Sequence, residues 1–251
     1  MKRILTIAMV GIAALFCIAI VTVYLSIGSV ITTSVEKYGS AITQTAVTLR
    51  DADFSPSSGD ASLLDLSVAN PAGFSAKTAL LAPRIEIQID PQTVGEGVMV
   101  IKRMEIEAPE ITYEINQSGD NLRALRAQIG EAVAAEKQGS FPDDKAGSPT
   151  KFIINDLYIS NGVVVVEAEG LTGKRTTAIM KNVHLEDVGR DENGLAPAAL
   201  VDKLYAPILQ AVTIAALSTD LNLSDQALNI LRAASDETEE AISRLRELLE
   251  N

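Results

Sequence analysis

The chain has 251 residues, a formal net charge of −12, no Trp and a single Cys. One cysteine excludes an internal disulfide framework, and 33 acidic against 21 basic residues exclude a basic patch for nucleic acid or lipid phosphate. Aromatic residues make up 4% of the chain, too few for the stacking platforms of a sugar-binding protein.

Residues 4–27 read ILTIAMVGIAALFCIAIVTVYLSI, without one charged side chain. A bilayer core takes about 20 apolar residues in helical form. A lone segment in lipid can pair its own amides only as a helix. Lys2 and Arg3 precede the run, and no Asp or Glu occurs before Glu36. That asymmetry puts the N-terminus in the cytoplasm and the chain after about residue 30 across the membrane. In a Gram-negative host the anchor sits in the inner membrane and the main domain in the periplasm. The competing reading is a cleaved signal peptide, whose apolar core is shorter, about 7–15 residues; Ser26-Ile27-Gly28 is a weak cleavage site. A lipoprotein site at Cys17 needs a small residue where Phe16 stands, so Cys17 reads as a small lipid-facing hydrophobe. The expected division is a stub and anchor over 1–30, a domain over 31–220 and a helical segment over 221–251. Beyond Lys2 and Arg3 the outer part carries 19 basic and 33 acidic residues, a net −14.

After a short helical or extended neck to Ser40, Ile42 to Arg50 reads as a strand and 53–59 as a turn. Asp51-x-Asp53 does not open a calcium loop: Pro56 stands where the turn glycine belongs and Ser62 where the bidentate Glu belongs. Leu63 to Ala69 is a strand with Leu64, Leu66 and Val68 on one face. Asn70-Pro71-Ala72-Gly73-Phe74 ends it, and Lys77 to Ala82 is short and admits a helix. Arg84 to Asp90 (RIEIQID) alternates cleanly: Ile85, Ile87 and Ile89 point one way, Arg84, Glu86, Gln88 and Asp90 the other. Met99 to Glu107 repeats this with Met104 and Ile106, and Glu110 to Asn116 with Ile111, Tyr113 and Ile115. The phase changes across Pro109, which predicts a bulge or kink there.

From Asn121 the period becomes helical, with Leu122, Leu125, Ile129 and Val133 on one stripe. An exposed Gly-, Pro- and Asp-rich linker follows at about 138–150. Lys151 to Ser160 and Gly162 to Glu169 read as strands around Asn161-Gly162, a hairpin signal. Thr176 to Val188 is a further strand with Ile179, Val183 and Leu185 on one side, and 191–194 a turn. The chain ends in helices over Ala198–Leu217 and Ser224–Asn251, the latter amphipathic with Ser224 as N-cap. Its stripe Ile242, Leu245, Leu248 and Leu249 suits a partner helix; its glutamates disfavour anionic lipid. The fold class expected is α+β, with a curved, mainly antiparallel, groove-like sheet.

Catalytic signals are weak. His184 is the single histidine, on one strand face with Asn182 and Glu186, and no Gly-x-Ser-x-Gly elbow accompanies it. It reads as a solvated strand residue. With one His and a Cys inside the apolar run, a structural zinc site lacks its S and N ligands. No Gly-rich phosphate loop is present, and Asp143-Asp144 reads as solubilising. The expectation is a non-enzyme without cofactor, metal or nucleic-acid partner.

The stretch from Tyr38-Gly39-Ser40 to LLDLSVANPAGF resembles the opening of the AsmA-like proteins of Gram-negative envelopes. RIEIQID, PEITYEI and Gly119-Asp120-Asn121-Leu122, then KFIINDLYISNG, KNVHLEDVG and the Ala-rich helix near Pro197-Ala198, are similar to that family's landmarks in order. The resemblance spans about residues 28–217. Family members are usually much longer, so this chain is a single module, and its Glu/Arg-rich terminal helix has no place in the pattern. The resemblance implies a sheet curled around an apolar face that handles phospholipid at the inner membrane during envelope maintenance. On that reading Ile85, Ile87, Ile89, Met104, Ile106, Ile111, Tyr113 and Ile115 form the lipid face. The alternatives are that these side chains pack an ordinary core, and that the protein is a scaffold or regulatory subunit recruiting another envelope protein through its last helix.

Overall fold

The structure, a computed structural model, describes residues 28–140, 150–168 and 176–218. The apolar run 4–27, most of the linker and the helix expected over 224–251, with Ile242, Leu245, Leu248 and Leu249, lie outside the described residues.

The chain is α+β. Helix α1 (28–43) leads into the hairpin β1 (Val47–Ser55) and β2 (Asp60–Ala69). Then come β3 (Thr78–Ile89), a single 3-10 turn at Pro91–Thr93, β4 (Val98–Glu107), β5 (Glu110–Asn116), the short β6 (Gly119–Asp120) and helix α2 (Asn121–Lys137). The last part is β7 (Lys151–Ser160), β8 (Val163–Ala168), β9 (Thr176–Ile179), β10 (Val183–Val188) and helix α3 (Pro197–Leu217). All ten described strands join one sheet in the order β10-β7-β4-β3-β5-β8-β9, with β2 and then β1 added along the other edge of β3 and the short β6 paired with the end of β5. Every pair is antiparallel except β4–β7 and β5–β8, which are parallel. Parallel neighbours need a long return, and α2 with the segment after it supplies that return.

The sheet is creased along one line. β4 and β5 are two legs of one long strand, as are β7 and β8. Their parallel register passes from Glu107 opposite Ser160 to Glu110 opposite Val163 without a slip. At the joints Ala108 and Asn161 take φ of +50° and +57°. β9 and β10 continue each other in the same way, opposite β8 and β7. β3 crosses this level unbroken, pairing Leu81 with Glu110 and Arg84 with Glu107, and it places Pro83 there. A proline is admissible where no ladder amide is required. On β2 the same level holds Asp65, φ +51°, between the pairs Leu64–Arg84 and Leu66–Ala82. A left-handed residue inside a strand redirects it, as a bulge does. A second irregularity parallels the first: the β3–β4 register shifts between Gln88 and Ile89, skipping Lys102, and Asp187 of β10 has φ +52°. Between the two lies the middle strip of the sheet.

Three helices pack on one face. α1 lies over β1–β3, where Ile31 and Val35 meet Leu49, Ala52, Leu63, Ala82 and Ile85. It also closes the sheet edge. Ser40 Oγ accepts from Val47 N at 2.9 Å and Glu36 Oε1 from Leu49 N at 3.0 Å. Gly28 stands so near the Ala52 carbonyl that a Cβ there would come within 2.3 Å of it. α2 and α3 meet α1 through Ile42, Val47, Val68, Leu125, Ile129, Ala132 and Ala198. α3 lays Leu209, Val212, Ala215 and Ala216 on the strands at the other side.

Several local expectations change. Ile42 and Thr43 end α1 instead of starting a strand; the strand begins at Val47 and runs through the residues read as a turn to Ser55. Lys77–Ala82 is no helix: Thr78 onward is extended and continuous with RIEIQID, because its apolar residues pair across the crease. Leu64 does not share a face with Leu66 and Val68, since Asp65 shifts the phase and Leu63 turns inward instead. Asn161-Gly162 makes no hairpin; its left-handed residue bends one long strand. Ile179 is 82% exposed, while Ala178 and Met180 point inward.

Candidate functional site

The eight side chains of the apolar sheet face all turn toward the helices, but their surroundings differ. Ile111, Tyr113 and Ile115, beyond the crease, are buried beneath Leu122 of α2 and the apolar side of α3. Ile85 is buried under α1. These four belong to a packed core. Ile87, Met104 and Ile106, on the middle strip, and Ile89 just past it are only half-buried. Ile87, Met104 and Ile106 touch both the cluster under α1 and the cluster under α3. The two helices leave this strip between them incompletely covered.

A polar lock holds the buried half in place. Glu114 alternates outward on β5, yet it is buried. The loop after β2 folds over it. Ser75 N and Ser75 Oγ each donate to Oε1 at 2.7 Å, and Asn70 Nδ2 and Ala76 N donate to Oε2 at 3.0 and 2.9 Å. Asn121 joins the set: its Oδ1 accepts from Glu114 N at 2.9 Å, and its Nδ2 donates to Asn70 Oδ1 at 2.7 Å and Thr112 O at 2.8 Å. Asn-Pro-x-Gly-Phe and Gly-Asp-Asn-Leu, distant in sequence, therefore meet around Glu114, the first at its carboxylate and the second at its backbone amide and at Asn70.

Asp120 caps α2 by accepting from Arg123 N at 2.8 Å, and its other oxygen lies 3.5 Å from Arg123 Nε. Burial pushes its carboxyl above the ordinary range. The Tyr113 and Tyr205 phenols are raised strongly, first by burial and then by the nearby Asp120 charge. Tyr205 donates to Leu122 O at 2.6 Å.

The opposite face of the middle strip is polar. Asp53, Ser62, Glu86, Glu105, Tyr158 and His184 stand side by side across the strands. The next row is Ser55, Asp60, Gln88, Arg103, Asp156 and Glu186. A cavity of about 990 Å³ opens at the β1 end of these rows, bounded by Gly28, Ser29, Thr32 and Thr33 of α1. Of the apolar strip, only Ile87 reaches it. At the other end His184 stacks on Tyr158, ring centroids 4.2 Å apart and planes 10° from parallel. Arg103 lies over the Tyr158 ring at 4.3 Å and pairs with Glu105. His184 Nε2 and Asp156 Oδ1 are 3.0 Å apart. Strand alternation places His184 beside Glu186, as the sequence shows; only the β7–β10 register adds Asp156, Tyr158 and Arg103.

No protein-family model and no curated protein matches the chain. Among the described residues α3 is long and apolar enough to cross a membrane by length and composition. It nonetheless carries Asp202 and Lys203, and its buried residues pack against the sheet, as a core helix does.

Proposed function

We propose that this protein is a membrane-tethered envelope module of the AsmA-like kind, binding a lipid acyl chain on the middle strip and presenting it locally. The anchor over 4–27, in the inner membrane with the domain in the periplasm, is part of the proposal. The observation that carries it is the half-burial of Ile87, Met104 and Ile106 between α1 and α3. Completing the cover of such side chains is worth roughly 0.5 kcal/mol each. The strip alone thus favours a loosely held chain, exchanging with the bilayer, over a sealed carrier. No chemistry is assigned to it.

A second reading has its own observation. Ile85, Ile111, Tyr113 and Ile115 are core, so the open apolar surface is small. On this reading the module is a scaffold or regulatory subunit, and the strip or the last helix meets another envelope protein.

One experiment separates the two. A benzophenone amino acid replaces Met104 in the full chain, and intact membranes are irradiated. An adduct of phospholipid mass supports the lipid reading. Crosslinks to protein alone, with no lipid adduct, refute it and leave the scaffold.

A further inference from the structure

We infer that Asp156, His184 and Glu186 form a surface site for a single borderline divalent cation of the zinc, cobalt or nickel type. The site lies on the face opposite the apolar strip and is independent of lipid binding.

β7 and β10 are antiparallel neighbours, with His184 opposite Tyr158 and Glu186 opposite Asp156. One imidazole nitrogen and two carboxylate oxygens thereby converge, all three ligand atoms within 4.8 Å of one another. His184 Nε2 and Asp156 Oδ1 stand 3.0 Å apart. Ligands bound at about 2.0–2.2 Å sit roughly 3.3–3.6 Å from each other in a tetrahedral shell. That pair already has nearly the spacing of two corners, and Glu186, exposed on a strand, needs only a rotamer change to supply the third.

The surroundings orient the ligands. Tyr158 stacks on the imidazole and fixes its plane. The Tyr158 hydroxyl donates to Asp156 Oδ1 at 3.3 Å. Such outer contacts are what hold metal ligands in place. Across the two rows that include the site there are six carboxylates, from Asp53, Asp60, Glu86, Glu105, Asp156 and Glu186, against one guanidinium, from Arg103. Such a face draws dications. Arg103 and, in the adjacent row, Arg84 are the opposing charges, and their pairing with Glu105 and Glu86 offsets them.

Ligand chemistry selects the metal. Calcium and magnesium want all-oxygen shells. An imidazole with two carboxylates suits the later first-row dications and zinc, water completing the shell. The missing sulfur and nitrogen ligands that exclude a structural zinc do not exclude this exposed, exchangeable site.

His184 is the single histidine of the chain, so any imidazole signal is its own. The test uses the full chain in detergent with Cys17→Ser, to remove the thiol, and adds zinc chloride in a non-coordinating buffer. Calorimetry is expected to give one ion per chain with a Kd on the order of 10 µM. The imidazole nitrogen resonances shift in the same range. His184→Ala and Glu186→Gln each weaken binding at least about tenfold. Both side chains are on the surface, so the variants keep the fold, which circular dichroism checks. Arg103→Gln tightens binding a few-fold. Zinc binding unchanged by His184→Ala, or imidazole resonances that stay still up to about 1 mM zinc, where binding falls to the weak millimolar class, overturns the site.

Discussion

Replacing Glu114 by Ala removes the acceptor for four donors: Asn70 Nδ2, Ser75 N, Ser75 Oγ and Ala76 N. A buried donor left without a partner costs about 1–3 kcal/mol. Four independent losses would total about 4–12 kcal/mol on that scale. The sum is too large here, because Ser75 lies at the surface and both its donors can turn to water. Asn70 and Ala76 are half-buried, so their freed donors reach water less easily. The expected loss is about 3 kcal/mol, a large part of the 5–15 kcal/mol that holds a typical domain. Glu114→Gln keeps the shape but turns an amino group toward two donors, and should cost about 1–2 kcal/mol. Urea unfolding of the full chain in detergent, followed by circular dichroism, gives both values. Hydrogen exchange adds a local check: the Ser75 and Ala76 amides should exchange faster in Glu114→Ala, while those of Ile154 and Leu157 keep their protection. A Glu114→Ala variant within about 0.5 kcal/mol of the parent, the usual range for surface substitutions, would refute the lock.

Two further outcomes follow from the crease and the buried phenols. Ala108 is exposed at φ +50°, a conformation that costs an L-residue about 1–2 kcal/mol and glycine little. Ala108→Gly should therefore raise stability by about 0.5–1 kcal/mol after the added freedom of the unfolded chain is subtracted, read as a higher midpoint in thermal unfolding. Tyr113 and Tyr205 hold their protons more tightly folded than unfolded. Above the unfolded tyrosine pKa of about 10, the unfolded chain releases protons that the folded chain keeps, so stability falls as pH rises from there and is unaffected below it. In a titration of phenolate absorbance, the Tyr113 and Tyr205 phenols should ionise only as the protein unfolds. Ionisation of these two phenols with the fold intact near pH 10 would contradict their burial.

Alternation alone determined which residues of RIEIQID and EITYEIN face together, because side chains on a strand must point to opposite sides in turn. The same local rule revealed the kink near Pro109 and the start of α2 at Asn121, where the period changes and Asp120 can cap. Composition determined that stability rests on burial and that the exposed surface is acidic. Tertiary structure decided everything that depends on partners far away in the chain. Asn161-Gly162 has the chemistry of a hairpin turn, but a left-handed residue serves a bend equally well. The choice depends on whether β8 finds β7 or β5 beside it. Glu114 has the pattern of a wet residue, and only the loop at 70–76, folding back over β5, makes it the centre of a buried network. Ile87 and Ile111 are indistinguishable as alternating isoleucines. The placement of α1 and α3 buries one and leaves the other half-covered. His184 and Asp156 meet only through the register of β7 with β10. Periodicity is set by the backbone of each residue and is local. Burial and convergence of ligands are set by which surfaces come together, and no single stretch of sequence encodes that.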